Sequence, residues 1–233
     1  MSELTLQEIV KKEQNKKLME RKFKYDVITL LKLCYWSLNP FPNGLTYNKD
    51  TYINPNNDKV KNIQETAKKL EKKFIYDLPQ PSKSNSKAKK LGFGKIGENL
   101  VYDILSFMGE NPRKPQKYPN CCYQVDWEGD NYIWEVKTRS WTEPGTAGEK
   151  VLGTMYKYSD LPVIYGKPLK IVCIGYQEYE LCNNNTRIWN VASERKKKML
   201  ELARSFDIEY IKFSDLVKPF MKEKEVIEYE KPY

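Results

Sequence analysis

The chain has 233 residues, with 40 Lys and Arg against 31 Asp and Glu, and no histidine. This length suits one medium domain with an added subdomain, or two small ones. Without histidine there is no Ser-His-Asp or Cys-His hydrolase, no HExxH metalloprotease, no Cys/His zinc finger and no histidine-dependent nuclease. Any chemistry must draw on Asp, Glu, Lys and Tyr.

In chain order, residues 5–38 carry apolar positions at near-helical spacing, ending in Val27, Leu30, Leu31 and Leu33, and predict helix. NPFPNG and NPNN mark residues 39–58 as loop, and a second amphipathic helix is expected over 59–74. LPQPSKSNSKAKK (78–90) reads as a basic linker, so the expected division is a basic, mainly helical region 1–90 and a second unit 91–233. The first ninety residues hold 19 basic and 10 acidic side chains, whereas the rest hold 21 of each. The whole net charge of +9 therefore sits at the N-terminal side, which suggests a polyanionic partner, most simply nucleic acid. The plain alternative is a lysine-rich composition with solvated helix faces. Trp36 is assigned to a core, and Tyr47 and Tyr52 fit either core packing or base stacking.

From Gly97 the pattern changes. GENLVYDILSFMG (97–109) predicts a helix stopped by Gly109, and GFGKIG before it a flexible entry, since no apolar strand precedes it as a dinucleotide site requires. Residues 121–127 and 132–138 predict two strands joined by EGDN, with further strands over 169–176 and 208–213. A helix capped by Ser193 is expected over 193–206, with Met199, Leu200 and Ala203 facing inward, and a short helix over 214–220. ERKKK (194–198) then reads as a solvated first turn. Residues 138–162 read as a polar, basic loop with a GTAG turn, or plainly as an ordered surface loop with an amphipathic helix behind it. There Arg139, Thr142, Thr146, Lys150 and Lys157 are candidate DNA contacts, joined by Lys89 and Lys90 of the linker.

The residues that suggest chemistry are Glu98, Asp126, Glu135 and Lys137. Glu135 and Lys137 are two apart in a strand and share a face. Asp126 lies on the preceding strand, where hairpin pairing brings it beside Glu135. Two converging carboxylates suit a hard divalent cation such as Mg²⁺, with the Val136 carbonyl as a third donor. Lys137 can orient an attacking water or neutralise charge on a phosphate. Each residue also has an ordinary reading: a turn-capping Asp, a solvated strand face, an acidic first helical turn.

Asp126 followed by Glu135-Val136-Lys137 resembles the motif of the PD-(D/E)XK nucleases, with Val125 where that family often has proline. Glu98 matches the extra acidic residue that many members carry on the preceding helix. The resemblance covers about residues 95–215. It implies a restriction-endonuclease-like α/β fold: an αβββαβ core whose central mixed sheet is flanked by helices, with the mainly helical N-terminal region added. It further implies hydrolysis of DNA phosphodiesters leaving 5′-phosphates, with one or two Mg²⁺ (Mn²⁺ able to substitute), double-stranded DNA as partner and a homodimer for a palindromic target. Glu98, Asp126, Glu135 and Lys137 would be catalytic, with Asp126, Glu135, Glu98 and the Val136 carbonyl toward metal. The alternatives are a structure-specific repair or recombination nuclease and a non-catalytic DNA-binding protein on the same fold. No nucleotide cofactor, secretion signal or membrane span is expected, and the five cysteines, without CxxC spacing, read as reduced intracellular thiols.

Overall fold

The computed structural model describes residues 23–38, 58–77, 92–119, 121–140, 147–183, 187–190 and 193–223. Helix α1 (Val27–Leu38) is capped by Asp26, whose carboxylate accepts from the Thr29 amide at 2.9 Å and the Thr29 hydroxyl at 2.7 Å. Helix α2 spans Asp58–Asp77, and α3 spans Phe93–Phe107 with Met108 as its C-cap and Gly109 at a positive φ of 95°. Strand β1 is only Trp127–Glu128, and β2 runs Ile133–Arg139. Three short helices follow, α4 (Ala147–Leu152), α5 (Thr154–Lys157) and α6 (Leu161–Tyr165). Then come β3 (Leu169–Gly175), α7 (Tyr176–Asn183), α8 (Glu194–Ser205), β4 (Ile208–Lys212) and α9 (Phe213–Glu223). Among the described residues no helix is long and apolar enough to cross a membrane.

The four strands form one mixed sheet in the order β1-β2-β3-β4, with β1 and β2 antiparallel and the remaining pairs parallel. The architecture is thus α/β. Parallel strands need crossover connections, and the helices that supply them, α4 to α8, cover one face, while α1, α3 and α9 cover the other. One face packs Trp134, Val136, Val172 and Ile174 against α1, α3 and α9. The other packs Ile133, Ile171, Cys173 and Tyr210 against Val151, Tyr158, Leu161 and Ala203. β2 therefore has no solvated face, although its sequence alternates. Its polar positions, Glu135 and Lys137, lie on the second face with Ile133.

Several expectations differ in detail. The helix expected from Gly97 begins at Phe93, so GFGKIG is its first turns rather than a flexible entry. Gly97 meets a steric requirement: a Cβ there would lie 1.8 Å from Thr138 Oγ1, so α3 can rest on β2 only with glycine at this contact. The strand expected over 121–127 is reduced to β1, because the segment before it leaves the ladder. The other edge of β1 is taken by a bridge between Arg113 and Glu128, whose amides and carbonyls exchange bonds of 2.9 and 3.0 Å. The loop expected over 138–162 contains α4, α5 and the start of α6. Ser193 holds the N-cap position of α8 but makes no side-chain capping bond, and Met199 is exposed while Ala203 is buried.

Helix α1, from the basic first ninety residues, belongs to the first core. Trp36 is 1% exposed, and its ring stacks on Phe93 and Phe74 at 5.2 and 6.1 Å. The linker 78–90, Tyr47 and Tyr52 lie outside the described residues.

Candidate active site

The register Trp127↔Trp134 sets Asp126 opposite Glu135, where the antiparallel pair opens. Two bonds lock this corner. The Asp126 amide donates to the Trp134 carbonyl at 3.0 Å, and the Val136 amide donates to Asp126 Oδ2 at 2.7 Å. The Val136 N–H thus faces β1, and in a strand the carbonyl of the same residue points the same way. Asp126, Glu135 and the Val136 carbonyl consequently stand together at one end of the β1–β2 pair.

Glu135 is 4% exposed. Its Oε1 ion-pairs with Lys137 and accepts from the Tyr158 hydroxyl at 3.2 Å. The Lys157 ammonium donates in turn to the Tyr158 oxygen at 3.2 Å. Burial and the neighbouring carboxylates raise the Tyr158 phenol above its ordinary value, so it remains a protonated donor. Burial, then repulsion from Glu135, pushes the Asp126 carboxyl up to about 7, against the Val136 amide; Glu98 adds to the rise and Lys137 opposes it. Carboxyl groups shifted by burial and a neighbouring carboxylate cluster at functional sites, and they also occur in structural ion-pair networks.

Glu98 approaches from α3. The Trp127 indole N–H donates to the Glu98 carbonyl at 2.8 Å and ties the helix to β1 beside Asp126. The Glu98 carboxylate pairs with Lys95 one turn earlier. Lys95 and Lys114 lie over the Trp127 ring at 5.5 and 4.3 Å. Burial and the Lys95 charge hold the Lys114 ammonium below the usual lysine value.

Among the described residues no group of three or more Cys, Asp or Glu side chains is gathered closely enough to form a ready metal cage. The donor set still fits Mg²⁺, which is bound by one or two carboxylates while keeping several waters. Asp126 and Glu135 supply those carboxylates, and a divalent charge would relieve the repulsion that raises Asp126. The residues fit.

A scan against protein-family models found no match. Searches of curated proteins and of solved structures likewise returned no significant match.

The structure brings Asp126, Glu135 and Lys137 together, with Glu98 within electrostatic reach of Asp126. Of the candidate DNA contacts, Lys157 is exposed beside the site, over the rings of Tyr123 and Tyr158 at 4.9 and 4.7 Å, and Lys150 is exposed on α4. Arg139 is 8% exposed, ion-paired with Glu180 at 2.6 Å and stacked over Tyr176, which is a core position. Thr142, Thr146, Lys89 and Lys90 lie outside the described residues. Sequence reasoning missed Tyr158, Lys95 and Lys114. Only Lys95 carried a local signal, three residues before Glu98 on a helix.

Proposed function

We propose that the protein is a Mg²⁺-dependent DNA endonuclease of the PD-(D/E)XK type, acting on double-stranded DNA as a sequence-specific restriction-type enzyme. The observation that carries this reading is the corner formed by Asp126, just before β1, and Glu135 on β2, with Lys137 paired to Glu135. The order of elements supports it as well. A helix bearing Glu98, an antiparallel pair and two further parallel strands fit the restriction-endonuclease-like core, with the short helices inserted in the crossovers.

Asp126, Glu135 and the Val136 carbonyl would hold Mg²⁺, with Glu98 assisting. The bound ion would polarise the phosphodiester and stabilise charge on its oxygens. The chain's own groups do the rest. The Val136 amide fixes one Asp126 oxygen. Tyr158 and Lys137 together fix the Glu135 carboxylate. Lys137, 28% exposed in its side chain, supplies a cation for the phosphate oxygens and a donor that orients the attacking water. Neighbouring cations Lys95, Lys114 and Lys157 offset the repulsion between three carboxylates and a polyanion.

The test is incubation of purified protein with Mg²⁺ and a panel of long duplex, nicked and branched DNA, with sequencing of the product ends. Discrete cuts carrying 5′-phosphates at one sequence are expected. Glu135→Ala is expected to abolish cleavage and retain DNA binding. No cleavage on any substrate, or full activity in Glu135→Ala, overturns the proposal. Cutting confined to junctions or flaps would move the protein to the repair class.

A further inference from the structure

Of the two lysines over Trp127, one is paired with an acid and the other, among the described residues, is not. Lys137 is paired with Glu135 and Lys95 with Glu98, but Lys114 has no ion pair among the described residues. Its backbone is nevertheless rigidly placed. Pro112 and Pro115 flank it in sequence, each restricting its own φ and the residue before it. Its neighbour Arg113 is bridged to Glu128 through both backbone bonds and through a guanidinium–carboxylate contact of 2.6 Å. The Gln116 amide donates to the other Glu128 oxygen at 3.2 Å, and Lys167 closes on the same carboxylate at 2.8 Å. A stiff edge segment thus holds one long cationic side chain over Trp127, the residue that follows Asp126.

The second ammonium over that ring makes the arrangement costly by itself, since like charges repel. Glu98 offsets Lys95 in part, and Glu98 and Asp126 both act electrostatically on Lys114. An anion arriving from solvent would be drawn to both ammonium groups at once. An ammonium is a point charge with rotatable donors, suited to a phosphate contacted without base reading. The alternative is that Lys114 serves only to pack the edge segment onto Trp127.

We infer that Lys114 and Lys95, held over Trp127, form a phosphate subsite that grips the DNA backbone at the phosphodiester next to the one presented to Asp126 and Glu135. The inference rests on the nuclease reading for its substrate, but it concerns binding and can be separated from cleavage. It gives the carboxylates cations on both flanks, Lys137 and Lys157 on one side and Lys95 and Lys114 on the other.

The test uses the full chain carrying Glu135→Gln, so that bound DNA stays intact, with Mg²⁺ and a fluorescein-labelled duplex titrated over a series of KCl concentrations. Adding Lys114→Gln is expected to weaken binding about 3- to 10-fold at low salt. It should also reduce the slope of log affinity against log salt by about 0.9, one phosphate contact's worth. Lys114→Arg should restore both, and Lys95→Gln should lower the slope likewise. A packing role alone would instead lower the thermal midpoint and leave the slope unchanged. If Lys114→Gln and Lys95→Gln both keep the parent slope, the subsite is refuted, while Mg²⁺-dependent cutting by the unsubstituted chain would still uphold the nuclease reading. If binding depends on Lys114 but the unsubstituted chain never cuts, the subsite stands and the nuclease reading falls. If the unsubstituted chain neither binds nor cuts DNA, both fall.

Discussion

Gly97→Ala sets two physical effects against each other, and the structure decides between them. Gly97 lies inside α3, where alanine gains about 1 kcal/mol in helix propensity over glycine. Its added Cβ would stand 1.8 Å from Thr138 Oγ1, 2.9 Å from Thr138 Cβ and 3.1 Å from Thr138 Cγ2. Real contacts of this kind stay beyond 3.0 Å, so helix and strand must separate by at least about 1 Å, or Thr138 must leave its rotamer. Threonine is β-branched and stiff at χ1, and a rotation brings Cγ2 toward the same space. Overpacking a tight core contact costs about 1–3 kcal/mol, occasionally more. A contact as short as 1.8 Å belongs in the upper part of that range, about 2–3 kcal/mol, which exceeds the propensity gain. Gly97→Ala should therefore lose about 1–2 kcal/mol net in urea unfolding. Thr138→Ala removes Oγ1 and Cγ2 and should recover most of that loss in the double variant, giving a favourable coupling in the cycle. The same separation withdraws Glu98 and the Trp127 bond from Asp126, so cleavage should fall in Gly97→Ala even where it is fully folded. A Gly97→Ala protein as stable as the parent, or more stable by the propensity difference, would refute the close contact as the reason for this glycine.

Three further outcomes follow from the site and the core. Tyr158→Phe removes the hydroxyl on Glu135 and leaves the ring packed; cleavage should fall about tenfold while DNA affinity and thermal midpoint change little, as read by turnover under saturating DNA. Mg²⁺ should raise the thermal midpoint of the unsubstituted chain and leave that of Asp126→Ala unmoved, since only a folded site that holds the ion gains from it. Asp103, fully buried, accepts from the Lys24 and Tyr25 amides at 2.7 and 2.9 Å, yet burial pushes its carboxyl up to about 7 despite these bonds and the nearby Lys24 charge. Its folded value lies above the unfolded one near 4, so its contribution to stability is fully present below pH about 4 and is lost as pH rises through about 7. The effect is worth up to about 4 kcal/mol, and the stability difference between the parent and Asp103→Asn, measured from pH 4 to 8, should carry that slope; a flat difference would refute it.

The legible parts of the sequence were those governed by local pattern. The run LKIVCIGY predicted a strand over 169–176, and it is β3, buried on both faces. The alternation in WEVKT put Glu135 and Lys137 together on one face, as found. It also suggested a solvated face, because alternation reports side-chain direction and not what covers each side. Helices α4 to α6 supply that cover, and they are too short for a helical period to emerge from TEPGTAGEKVLGTMYKYSDLP. The hairpin was expected to be longer because Cys121, Tyr123 and Val125 alternate with polar residues. Competition for the β1 edge from Arg113 is a contact across fifteen residues that no local window contains. Tyr158 and Lys114 were invisible for the same reason: each reaches the carboxylates through a tertiary contact. Asp126 was expected beside Glu135, but the bond from the Val136 amide that orients it depends on a register set by folding.

The seating of Trp36 bears on how this molecule can be cut down. Its ring lies against Gly175 at the end of β3 and between Phe74 and Phe93, with Leu33 and Cys34 fully buried on the same helix. A fragment begun at residue 91 would lose α1 and α2 and uncover the sheet face and α3 where they pack. Each large apolar side chain deprived of its cover forfeits about 1.5–3 kcal/mol, against a whole-domain stability of about 5–15 kcal/mol. A fusion partner or a minimal expression fragment therefore has to begin ahead of Lys24. The basic first ninety residues cannot be deleted whole without also dismantling part of the scaffold under the carboxylates.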